Sequence, residues 1–80
     1  MTQQLFDTVK NAVDKADVYG LLNMGCPPYE YDLESYAISE NINPLMNVFE
    51  VRNVVEKVFF DFLNIDIDGT EIAMDIVSAF

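Results

Sequence analysis

From Asn47 to Leu63 the chain reads NVFEVRNVVEKVFFDFL, its longest amphipathic stretch. Val48, Val51, Val55, Val58, Phe59 and Phe62 recur at the three- and four-residue steps of a buried helix face. Val54, Phe60 and Leu63 widen that stripe, while Arg52, Asn53, Glu56, Lys57 and Asp61 fall mostly opposite. Asn47 with Glu50 three residues on is a capping box, and Met46 with Val51 is placed to form the hydrophobic staple around it. The β-branched residues Val54, Val55 and Val58 favour a strand, but a strand this long would expose half its apolar residues. Helix is therefore the reading, and the rest of the chain must pack against it.

Eighty residues make one small domain. A chain of this size buries about 60% of the surface its unfolded form exposes, so its core has little to spare. With 51% apolar residues and 12% aromatic ones it has material for that core. A homodimer interface would fit the same composition.

Going outward from the central helix, about residues 3–17 read as a first helix with Leu5, Phe6, Val9, Ala12, Val13 and Ala16 on one side and Thr2 as its cap. Residues 18–31 form a long packed loop. It holds Gly20, Gly25, Pro27 and Pro28, yet with Tyr19, Leu21, Leu22, Met24, Cys26 and Tyr29 it is too apolar for a solvated linker. A second helix is expected over 32–42, capped by Asp32, with Leu33, Tyr36, Ala37 and Ile42 facing inward. Asn43-Pro44 stops it. The central helix occupies 47–63, and a last helix 70–79 carries the seam Ile72, Ala73, Ile76, Val77 and Phe80. Asp68 and Glu71 repeat the capping-box pattern, with Ile67 and Ile72 as its staple. The expectation is a compact all-α, four-helix domain.

The first helix, the irregular loop near Asp17, and Tyr31-Asp32-Leu33-Glu34-Ser35 opening a second helix are similar to a family of small Gram-positive bacterial proteins filed as a domain of unknown function. That family has a helix, a Trp-Asp-Pro turn, a Tyr-x-x-Glu helix start and two further helices. Here Asp17 stands between Ala16 and Val18, so the Trp and Pro of the turn are absent. The resemblance implies an all-α fold and a bacterial source, and it implies no activity.

Charge is the extreme feature: 14 acidic residues against 4 basic ones, net −10, with no histidine. Phosphate binding needs clustered Lys and Arg, and only Lys10, Lys15, Arg52 and Lys57 are present, so nucleic acid and anionic membrane surfaces are poor partners. A basic protein or a cation suits the charge. The start MTQQLFDTVK lacks the basic and long apolar segments of a signal peptide, which makes the cytoplasm the expected compartment.

Asn64, Asp66, Asp68, Thr70 and Asp75 can be laid on an EF-hand calcium loop, with Gly69 at the invariant glycine position. Position one is Asn, position twelve is the shorter Asp75, and Glu71 occupies a position that wants an aliphatic residue. A helix-helix turn capped by Asp68 is the preferred reading, with calcium binding as the alternative function. Ser35 resembles the modified serine of small acidic acyl carrier proteins, but it follows Glu34 where that motif has Asp, and no glycine precedes it nearby. Cys26 is alone, and without histidine neither a Cys-His nucleophile nor a zinc site can be assembled. No enzyme activity and no cofactor are expected.

Four tyrosines and several acids cluster around the long loop: Tyr19, Tyr29, Glu30, Tyr31, Asp32, Glu34 and Tyr36. Tyrosine is rigid and amphipathic, and an acidic rim steers a basic partner. The functional expectation is a small acidic protein-binding module, of the inhibitor or immunity type, that occludes a basic surface on another protein.

Overall fold

A computed structural model describes residues 3–18, 20, 22–27 and 29–80. Four helices run through them, α1 (Gln3–Ala16), α2 (Asp32–Glu40), α3 (Val48–Leu63) and α4 (Thr70–Ser78), and no strand occurs among the described residues. The expected Thr2 cap lies outside them.

The α3 helix starts as the sequence dictates. The Glu50 amide donates to Asn47 Oδ1 at 2.9 Å and the Asn47 amide to Glu50 Oε1 at 3.1 Å, which completes the capping box. Met46 is half-buried against the core and Val51 is fully buried, one on each side of the cap. The helix stops at Asn64, whose left-handed conformation (φ 56°) lets its amide reach the Phe60 carbonyl at 2.9 Å.

Each helix packs on two others: α1 and α3 both lie against α2 and α4. The core they enclose draws Val9, Ala12 and Val13 from α1, Val51, Val55, Val58 and Phe59 from α3, and Ile72, Ala73 and Ile76 from α4. Of the residues expected inside from the last two helices, Phe62 and Phe80 depart, at 49% and 40% exposed; Phe62 is the one within a helix. It continues the row of Val55 and Val58, but it sits in the last turn of a 16-residue helix whose neighbours α2 and α4 have 9 residues each. Phe60 is also half-exposed.

The larger departures are in α2. Asp32 does not cap it: Tyr31 holds the N-cap position without a side-chain cap, and the Asp32 carboxylate goes to Lys10 Nζ at 2.6 Å. Leu33 and Tyr36, expected inside, are 74% and 56% exposed. The inner row is Tyr31, Ser35, Ile38 and Ile42, at steps of four, three and four, with Glu34 and Ser39 buried beside it. The helix ends at Glu40, short of residue 42.

The last helix also begins differently from expectation. Gly69 is its N-cap and Glu71 forms no capping box. Asp68 Oδ1 accepts from the Thr70 amide and hydroxyl, at 3.0 and 2.6 Å. The Gly69 amide donates to Glu56 Oε2 of α3 at 2.8 Å, so α3 supplies an acceptor that the local sequence does not. A Cβ on Gly69 would stand 3.1 Å from Val55 Cγ1 and from Glu56 Cγ, so glycine suits this position for its close approach to α3 and not for its dihedral angle.

Candidate protein-binding face

The loop between α1 and α2 is built around Asp17. This residue ends α1 in a left-handed conformation (φ 45°) that aspartate tolerates, with its amide on the Val13 carbonyl at 2.9 Å. Its carboxylate accepts the Leu22 and Asn23 amides at 3.1 and 3.0 Å and the Tyr31 hydroxyl at 2.7 Å. Gly20 and Gly25 supply the positive φ that the turns on either side need. One side chain therefore ties the loop to the start of α2.

Tyr31 is thereby drawn inside. It is 1% exposed, and its ring meets Phe59 edge-on at 6.5 Å. Glu34 is buried as well. Both were candidates for a binding face, and burial removes both, because a ring or carboxylate enclosed in the core is not presented to a partner. Tyr19, the third such candidate, lies outside the described residues. Asp32 remains partly accessible but is occupied by Lys10.

What stays on the surface is Tyr29, Glu30 and Tyr36, joined by two apolar residues that the sequence reading had placed elsewhere, Met24 and Leu33. The Tyr36 ring packs on Phe6 of α1 at 6.5 Å. The Glu40 carboxylate accepts from its hydroxyl and holds the phenol protonated, raising its pKa. A helical count started from Tyr31 and Ile38, instead of from Asp32, would have found Leu33 and Tyr36 on the outer side.

The outer face of α2 continues into a groove against α3. Ala37, Val54, Val58 and Phe62 line it, with the Lys57–Asp61 ion pair (3.0 Å) along one edge. A second trough, between α1 and α4, is more polar: Thr8, Asn11, Lys15 and Asp75 line it, and Lys15 approaches Asp75 at 3.5 Å across it.

Electrostatics are one-sided. All four cations already face carboxylates of the same chain: Lys10 on Asp14 (3.1 Å) and Asp32, Lys15 on Asp75, Arg52 on Glu56 (3.9 Å) and Lys57 on Asp61. Burial works against the charge of Lys10, but Asp32 and Asp14 outweigh it and raise its pKa. At Glu34 burial raises the carboxyl pKa. Its own backbone pulls the other way, and the charges of Glu30 and Asp32 add to the rise.

The calcium-loop alternative is not assembled. Among the described residues no group of three or more acidic, cysteine or histidine side chains could hold a metal ion. Asp68 is engaged by Thr70, which lowers its pKa, and Asp75 faces Lys15. Asn64 serves as the C-cap of α3, and Asp66 points to no shared centre with the other acids. The reason is that α4 begins at Thr70, so Asp75 is carried round the helix to the α1 side. Among the described residues no helix is long and apolar enough to cross a membrane. No family model, curated protein or solved structure matches this chain, and its function is therefore read from the site alone.

Proposed function

We propose that this protein acts by binding another protein, covering a basic surface of that partner with the outer face of α2 and the adjoining loop. The observation that carries the reading is the reversed polarity of α2. Leu33 and Tyr36 face solvent while Glu34, Ser35 and Ser39 are buried. A surface helix normally places its apolar side on the core, so an apolar outer side calls for a second body to cover it. Tyr29 and Met24 of the preceding loop are exposed as well, as are the acids Glu30 and Glu40. Because each of the four Lys and Arg side chains already faces one of the chain's own carboxylates, the field seen by an approaching protein is negative, which accelerates encounter with a basic surface.

The test begins with a partner isolated from the native host and identified by mass spectrometry, followed by binding kinetics. Leu33→Ser should shorten the lifetime of the complex and change the free protein's stability by less than about 0.5 kcal/mol; Tyr36→Ser should shorten it too, with a further small loss of stability from the Phe6 contact. Glu30→Lys should slow association and flatten its salt dependence. Glu71→Lys, an exposed site on α4, serves as the control. If the control weakens binding more than the α2 variants do, the interface lies elsewhere.

A further inference from the structure

We infer that the groove between α2 and α3 receives an amphipathic basic helix of the partner, whose apolar side chains seat on Ala37, Val54, Val58 and Phe62. The inference rests on the binding face proposed above and names what that face recognises.

Its shape is the first argument. Val54, Val58 and Phe62 are spaced four residues apart and form a single ridge on α3, with Ala37 opposite on α2. At about 1.5 Å per residue the ridge is about 12 Å long, or two helical turns. A docking helix with anchors at i, i+4 and i+7 spans that distance. The groove holds about 250 Å³, and Phe62 lines it from the last turn of α3. Phe62 is 49% exposed on the row that carries the buried Val55 and Val58, so a helix laid in the groove would complete a burial that α3 leaves unfinished.

Charge chooses the occupant. Asp61 on α3 is the acid that lines the groove, in a chain whose net charge is −10. The only lysine among the groove's lining residues is Lys57, already paired with Asp61 at 3.0 Å. A second copy of this chain would bring another net −10 to that surface and be repelled, whereas flanking Lys and Arg on a partner helix would be attracted.

The probes are two synthetic peptides of about 18 residues, long enough for five turns, composed only of Lys and Leu and blocked at both ends. One places Leu at helical spacing; the other has the same composition in scrambled order. They are titrated into the isotopically labelled protein while its amide and methyl resonances are followed. The expected result is saturable binding of the helical peptide with shifts at Ala37, Val54, Val58 and Phe62. Ala37→Trp, which fills the groove, should weaken it about tenfold, roughly the loss of one interface anchor. The resonance footprint on the unsubstituted protein keeps the test valid if the tryptophan variant folds poorly. Equal, salt-sensitive binding of both peptides, with shifts at Glu30 and Glu40 and none in the groove, would overturn the groove and leave the acidic binding face standing. Shifts confined to the α1–α4 trough would overturn both. Failure of the helical peptide to bind would overturn the groove alone, since the kinetic test of the α2 face is independent of these probes.

Discussion

Helices α2 and α3 pack on the same core, and they distribute polarity in opposite ways. In α3 the core side is Val51, Val55, Val58 and Phe59, and the polar residues Asn53, Lys57 and Asp61 are exposed. In α2 only Ile38, with Tyr31 just before the helix, supplies large apolar bulk inward, while Glu34, Ser35 and Ser39 go in with it and Leu33 and Tyr36 go out. Burial of apolar area accounts for the core row of α3. It accounts for α2 only if the outer face is counted as a surface meant to be covered by something else. Ser39 Oγ returns to the Tyr36 carbonyl at 2.8 Å, whereas Ser35 Oγ is buried without a partner, which costs free energy.

The largest effect expected from this contrast is on the α3 side. Phe59 is fully buried and touches Tyr31, so Phe59→Ala should destabilise the fold by about 3–5 kcal/mol in chemical denaturation. A loss below about 1 kcal/mol, the range of surface positions, would mean that α3 is not the organising element.

The next effect is at the junction between loop and α2. Tyr31→Phe keeps the ring and removes the hydroxyl that donates to Asp17 Oδ1. A bond to a carboxylate of this kind is worth about 1–2 kcal/mol, and hydrogen exchange at the Leu22 and Asn23 amides, which Asp17 also holds, should rise with its loss. Unchanged exchange would show that Asp17 organises the loop without Tyr31.

The smallest effect has the opposite sign. Because burial raises the Glu34 pKa in the folded protein, folding favours the protonated form. Stability is then lost as pH rises from the ordinary carboxyl range through the raised folded value, and stays lost at neutral pH. Glu34→Gln should therefore raise the melting temperature at pH 7. The gain should shrink towards about pH 4, the ordinary carboxyl range, where Glu34 itself takes up its proton. A fall in melting temperature at pH 7 would mean that the carboxylate is well satisfied, and the contrast between the two helices would weaken.

Much of this was legible in the chain, and the exceptions share a cause. Capping by Asn47 and Glu50 and the Val51, Val55, Val58 and Phe59 row of α3 are local: each depends on residues within a turn or two of one another, and the structure forms them as read. The α2 row was misphased because nine residues with apolar side chains on both sides, Leu33 and Tyr36 against Ile38, support two faces almost equally. The candidate site shared that ambiguity. Tyr29, Glu30 and Tyr36 proved exposed, but Tyr31 and Glu34 did not, since no local rule says which tyrosine Asp17 will draw inward.

Periodicity, capping and composition thus determined that the chain is helical, where three of its helices turn their apolar sides, and that its net charge is strongly negative. Those are properties of neighbours along the chain, set by backbone geometry and counting. Tertiary structure decided the rest: that Glu56 of α3 would accept from Gly69, that Lys10 would take Asp32 from its capping role, that Asp75 would meet Lys15 and not a cation, and that Leu33 would be left outside. Each joins groups distant in sequence, and such pairings exist only once the helices have packed.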